Sequence, residues 1–484
     1  MTTREKCAHL LRRFGLGVTR TELDHAEKLG VNGTIDWLLN YEKVEEPFDI
    51  HPWSFAWDKE GKAQMDVNRF PAWWAARMLL TRRPLEQNLT LFWHNHFAIS
   101  GAKVNFGPMM VDYIETLRRN ASGNFRTFLG EITREPAMVR WLDTDSNVRG
   151  RPNENFAREL LELFTLGIGN YSEKDIQETT RAFTGWSLRN ALPEANRTKI
   201  ELQMQMALEQ ERPIIVFSDA PALHDPGAKT ILGKTDTFDA DGVLDLLVRQ
   251  PAHAQFLARK LWKFYIGPDP EPKQVDRLAK AYLDNKAELK PTLLWMMKSK
   301  EFWDERNVRA IVKSPVHYTI PLYRQLGLDQ ALLKANVTSS KAMSAVPKEF
   351  ADLGGPLAAI MRRQGMYLMF PPDVAGWEWG TAWITTASVI ERQKIADYFF
   401  RTRANVAAIV LGMLAPAAPR DAAHVIDLLV DWFDIPADAS RKQLLVQALE
   451  ANGGFASLAK PATAQKPLNS VFKLVASIPE YQFC

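Results

Sequence analysis

Between Asn153 and Trp186 the chain carries two successive helical segments of opposite character, and this pair constrains the fold more than any other stretch. At 100° per residue the first segment divides in two. Phe156, Ala157, Leu160, Leu161, Leu163 and Phe164 share one arc, and Glu154, Asn155, Arg158, Glu159, Glu162 and Thr165 fill the other. Glu154, Arg158 and Glu162 recur every four residues, which places an arginine between two carboxylates on one stripe. The second segment, from Ser172, offers Asp175, Gln177, Glu178, Thr179, Thr180 and Arg181, with little apolar content beyond Ile176, Ala182 and Phe183. Such a helix is either solvated all round or faces a partly buried polar network.

Helical periodicity continues through most of the chain, and the expected fold is mostly α, a large composite of many helices. Thr19 and Glu22 form a capping box that opens a helix ending near Gly30, and Gly33 to Leu39 gives a second short one. Helices are predicted at Arg69–Leu80, Pro84–Phe97, Met109–Arg119 and Phe125–Arg134, with Pro84 well suited to a first helical turn. Ile214–Phe217 and Thr230–Leu232 are β-compatible runs flanking His224-Asp225-Pro226-Gly227, so a small hairpin or loop insert is expected near 190–237. The segment from Met369 to Ser388 reads as a loop rich in glycine, proline and tryptophan. The expected division is a main helical domain over 1–389 and a C-terminal helical part, 390–484, packed on it.

With 484 residues, 46% apolar content and a formal charge of +3, the chain suits a globular protein rather than one that captures nucleic acid electrostatically. Two cysteines, Cys7 and Cys484, exclude a disulfide framework. No apolar run reaches membrane-spanning length, and the first residues carry no signal peptide, so a cytoplasmic location is expected as the chain stands. Gly15-Leu16-Gly17 lacks the third glycine and preceding strand of a dinucleotide site. Walker A, His-Glu-x-x-His and Gly-x-Ser-x-Gly patterns are missing as well, so no nucleotide cofactor is expected.

Four groups of residues invite chemistry. His94 and His96 form a His-x-His pair; on a continuous helix they diverge by about 200°, and they share an ion only if the helix ends there. The alternative is a histidine that caps the helix or bonds a core carbonyl. His224-Asp225 in a loop, with Lys229 nearby, suits a metal or proton transfer, or else Asp225 caps the turn before Pro226. Glu159, Glu162 and Glu178 could bridge a metal or divide acid and base roles. With Arg158 and Arg181 among them, an ion-pair network that fixes helix register is the favoured reading. Asp373, Trp377 and Trp383, in a loop of Pro-Pro-Asp-Val-Ala-Gly-Trp and neighbouring tryptophans, could stack and bind a sugar, or could close the core as a rigid corner.

An ordered set of blocks spans almost the whole chain: Arg12-Arg13-Phe14-Gly15-Leu16-Gly17, Leu91-Phe92-Trp93-His94-Asn95-His96-Phe97, Asn153-Glu154-Asn155-Phe156-Ala157-Arg158-Glu159-Leu160, Phe183-Thr184-Gly185-Trp186, His224-Asp225 with Gly227, Lys229, Leu232 and Gly233, and Phe370-Pro371-Pro372-Asp373-Val374-Ala375-Gly376-Trp377 leading to Trp383-Ile384. Together they resemble the bacterial family catalogued as domain of unknown function eighteen hundred. The resemblance implies no assigned activity; it does imply a sulfatase-like partner protein encoded alongside many members, and export for many of them. Two functions follow as expectations. The first is a metal-assisted hydrolase of a polar, carbohydrate-like substrate. In it His94, His96, His224 and Asp225 hold zinc, manganese or iron, Glu159 or Glu162 is the base, and Trp377 and Trp383 position substrate. The second is a non-catalytic scaffold that docks a partner or glycan on the aromatic loop.

Overall fold

The protein is mostly α-helical, as the periodicity predicts. The structure is a computed structural model describing residues 1–58, 60–192, 199–334, 339–402 and 404–484. The first helix, Thr3–Phe14, is opened by a Thr2–Glu5 capping box and packs against Arg20–Leu39, which breaks at Gly30 with φ of 69°. Phe70–Leu80, Pro84–His96, Gly107–Arg119 and Phe125–Thr133 follow, within one or two residues of the predicted bounds. Their apolar faces meet around Trp73, Trp74, Trp93 and Tyr113, all at or below 1% exposure, so the middle of this helix set is the deepest core. Among the described residues, the last 99 positions add five α-helices, from Thr386–Thr402 to Pro461–Val475. The boundary expected at 389/390 falls inside the first of them.

The Gly15-Leu16-Gly17 block has a steric purpose. A Cβ on Gly17, at φ of 93°, would stand 2.4 Å from the Pro321 ring. Asn88 Nδ2 donates to the Arg13 and Gly15 carbonyls at 3.0 and 2.8 Å, fixing the turn beneath it. The glycines let one backbone segment lie against another helix.

The β-containing insert differs in detail from expectation. Ile215–Asp219 does form a strand, but it pairs antiparallel with Trp186–Asn190, while Lys229–Ile231 pairs with Lys234–Asp236. The two β runs therefore belong to separate two-stranded pairs, of which only Lys229–Asp236 is a hairpin. Between the first two strands stands a helix, Ile200–Glu209, which the expected loop insert omits. Its Ile-Glu-Leu-Gln-Met-Gln-Met alternation imitates a strand, yet Glu, Leu, Gln, Met and Ala are strong helix formers, and composition prevails. Residues 193–198 of the expected insert lie outside the described residues. Among the described residues, no single helix is long and apolar enough to cross a membrane.

Candidate active site: a cleft with two unpaired carboxyls

The first of the two helical segments that constrain the fold is not uniform. Asn155–Glu159 is α-helical, and Leu160–Thr165 widens into a π-helix. The wider turn shifts every later side chain, so the expected stripe of Glu154, Arg158 and Glu162 is broken. Arg158 pairs with Glu154 at 3.5 Å and with Glu173 at 2.8 Å, while Glu162 accepts from the Tyr171 hydroxyl at 2.6 Å. Thr165, assigned to the polar arc, is fully buried and returns its hydroxyl to the Leu160 carbonyl at 2.5 Å.

Three basic side chains finish this π-helix. The Lys260 ammonium donates to the Leu163 carbonyl at 3.5 Å, His96 Nε2 to Phe164 at 3.1 Å, and His253 Nδ1 to Thr165 at 3.3 Å. Cations and donors near a helix C-terminus satisfy its orphan carbonyls and its dipole. Burial pushes the Lys260 ammonium down to about 7, His253 to about 4 and His96 well below its usual range. His96 is therefore a carbonyl partner within the core.

His94 faces the other way. The Tyr113 hydroxyl spends its proton on the Phe97 carbonyl at 2.8 Å, so His94 Nδ1–H donates to Tyr113 at 2.9 Å. His94 Nε2 then accepts the Met369 N–H at 3.2 Å. One residue on, Asn95 grips the same loop: Oδ1 accepts from Trp377 N at 2.7 Å, and Nδ2 donates to the Trp377 carbonyl at 3.3 Å. Gly376, at φ of 85°, lies so close that a Cβ would stand 2.5 Å from Asn95 Oδ1. The His-Asn-His block is thus a clamp on the Pro/Trp loop.

Consequently the expected metal quartet does not assemble. Both His94 nitrogens are committed, and His96 points to the π-helix. His224 Nδ1 donates to the Thr184 carbonyl at 3.1 Å, and both Asp225 oxygens are held by the Arg181 guanidinium at 2.8 and 3.2 Å. Among the described residues no three His, Cys, Asp or Glu side chains are placed to hold one ion. The donor set therefore does not fit the metal.

Glu178 and Arg181 pair at 2.8 Å, and Arg181 holds the Asp225 carboxyl down to about 2. Lys229, buried, donates to the Asp225 and Gly227 carbonyls at 2.8 and 2.9 Å. These residues fasten the Lys229–Asp236 hairpin to the helix Glu173–Ala182, which is the favoured network. In the Pro/Trp loop, Trp377 and Trp383 are only 6% and 5% exposed, and Trp377 packs edge-on against the His94 ring. Neither indole offers a face to a ligand, which corrects the stacking platform in favour of the rigid corner. Asp373 is exposed; it caps its own turn through Ala375 N at 2.9 Å and comes close enough to Glu159 to help raise that carboxyl, after burial and Glu162.

The groups best placed for chemistry stand beside Tyr113, the residue that His94 holds. Tyr113 anchors the helix Gly107–Arg119 to His94, and Asp112 beside it opens into a cleft of about 690 Å³. Glu135, at the N-cap of the short helix Pro136–Trp141, lines the same cleft. Its Oε2 accepts from Thr116 Oγ1 at 2.8 Å, and its Oε1 is buried without a partner. Asp112 makes no hydrogen bond to any described residue. Burial and the neighbouring Glu115 push the Asp112 carboxyl up to about 7. Burial and Asp112 raise Glu135 to about 8. Helix Ile200–Glu209 and strand Ile215–Asp219 supply the opposite wall through Ala207, Leu208, Val216 and Phe217.

No sequence motif marks this pair, although one local signal exists. Glutamate is a poor N-cap, since its side chain seldom reaches the first N–H groups, and Glu135 makes no such bond. Its side chain serves another purpose, visible only once Thr116 is placed against it. Asp112 sits on the edge of an ordinary amphipathic helix and gives no signal.

A family model described as "Protein of unknown function (DUF1800)" matches residues 9–483. No curated protein and no solved structure matches the chain.

Proposed function

We propose that this chain, which belongs to the DUF1800 family, is a hydrolase of a polar polymer, carbohydrate by class, working through acid–base catalysis by Asp112 and Glu135. The single observation that carries the reading is a pair of carboxyls that form no salt bridge with any described residue, lining one open cleft and raised toward neutral pH by burial although the Arg119 charge acts on both. Structural carboxylates are normally paired, as Asp225 and Glu115 are here. Two carboxyls left without a salt bridge in one cleft, both raised by burial, are an arrangement from which acid and base roles are drawn.

Glu135, which burial and Asp112 both raise, is assigned the role of general acid, donating its proton to the leaving oxygen as the glycosidic C–O bond breaks. Asp112 is then the general base, taking a proton from the attacking water, whose oxygen forms the new bond at carbon. The products are two hydroxyl-bearing ends, and proton exchange with solvent resets both carboxyls. Thr116 orients Glu135, and the His94–Tyr113 bond holds the helix that carries Asp112. No step passes through a metal held by the histidines.

The test is release of reducing ends from soluble neutral and acidic polysaccharides. Asp112→Asn and Glu135→Gln should each lower the rate about 100-fold or more with no loss of melting temperature. Wild-type rates in either variant contradict the assignment, and an intact panel of substrates contradicts the substrate class.

A further inference from the structure

We infer that the cleft receives an extended polysaccharide bearing anionic groups, and that Arg119 and Arg212 are the cations that read them. The inference takes its substrate class from the hydrolase reading above. A second hollow of about 710 Å³ adjoins the first, and Thr116, Arg119 and Glu135 line both. The two therefore meet at Glu135. Each is within the roughly 300–1,000 Å³ that holds a drug-sized ligand, so the joined trough admits a chain of several sugar rings that passes the general acid rather than ending there.

The walls carry five arginines, and their commitments differ. Arg126 and Arg134 are neutralised by Asp241 and Asp245, with contacts of 2.5 to 3.1 Å. Arg77 faces Glu115 at 3.4 Å. Arg119 is different: its guanidinium touches the Thr116 hydroxyl at 3.2 Å, its nearest carboxylate is Glu131 at 3.8 Å, and its side chain is 58% exposed. Arg212 also lines the first hollow, is exposed, and forms no ion pair or side-chain hydrogen bond with any described residue. Glu211 beside it is an exposed carboxylate, so the rim is not uniformly positive. Two forked donors therefore line the trough with most of their N–H groups unused, although the Arg119 charge also acts on Asp112 and Glu135. A guanidinium binds carboxylate or sulfate through paired N–H bonds, and a neutral sugar gives it no such partner.

Isothermal titration of the intact protein with matched oligomers of polygalacturonate, chondroitin sulfate and dextran decides this. At least one anionic oligomer should bind, tenfold or more above dextran, and added salt should weaken it; comparing the two anionic arms separates a carboxylate reader from a sulfate reader. Arg119→Gln with Arg212→Gln should lower anionic binding tenfold or more, leave dextran unaffected, and leave the melting temperature in place because both side chains are exposed. Equal affinity for dextran, unchanged affinity in the double variant, or no binding by any oligomer would overturn the inference. Glu135→Gln separates the two claims. Arginine-dependent binding without any Glu135-dependent hydrolysis supports the anion reading while contradicting the hydrolase, whereas hydrolysis confined to neutral polymers does the reverse.

Discussion

Replacing Asp112 and Glu135 by their amides should change stability as well as rate, and the sign follows from the direction of their shifts. Both carboxyls are raised, so the folded chain keeps protons that the unfolded chain releases near pH 4. The stability they contribute is full below that pH and is lost as the pH climbs through about 7 and about 8. Asp112→Asn with Glu135→Gln should therefore raise the urea midpoint at pH 9 relative to wild type and change it little at pH 4. Hydrolysis by wild type should peak near neutral pH, where one carboxyl of the raised pair is ionised and the other is not. His94 behaves in the opposite sense. Burial lowers it to about 3, so its contribution is present above the ordinary histidine range and lost as the pH falls toward that value. His94→Phe fills the space but strands the Met369 N–H and removes the donor to the Tyr113 hydroxyl, and urea unfolding at pH 7 should show a loss of about 1 to 3 kcal/mol.

At the scale of elements, the joint between the His-Asn-His clamp and the Pro/Trp loop is the point most sensitive to sterics. Gly376→Ala sets a Cβ against Asn95 at a positive φ and should destabilise the chain by about 2 kcal/mol or more, measured by thermal and urea unfolding. Helix existence and bounds were readable from the residues because proline, capping residues and apolar spacing agree over Pro84–His96 and Phe125–Thr133. The π-turn at Leu160–Thr165 was not readable, since its cause lies elsewhere: Lys260, His96 and His253 arrive from distant segments to satisfy its last carbonyls. One extra residue in a turn undid the expected Arg158–Glu162 pairing. The strand partners of Ile215–Asp219 were hidden for a similar reason, because alternation identifies a strand but carries no information about which segment it meets.

Across the whole molecule, the blocks that look chemical in the sequence are mostly joints. Arg12 to Gly17 seats the first helix on Pro321, Asp225 and Arg181 fasten a hairpin, and His94 with Asn95 ties the loop at Trp377. Polar residues with demanding geometry serve as joints because each buried donor must meet an acceptor. The carboxyls that the fold leaves without a salt bridge stand instead on unremarked positions. Asp112 lies in a common helix and Glu135 in a Thr-Arg-Glu-Pro turn, and only tertiary assembly brings them together under the wall formed by Ile200–Glu209 and Ile215–Asp219. Proton counting on the folded protein is the most direct test of this account. Difference titration of wild type against Asp112→Asn/Glu135→Gln should show wild type releasing two additional protons between about pH 6 and pH 9. Release of both below about pH 5 would mean ordinary ionised carboxylates in the cleft, and the acid–base assignment would fail.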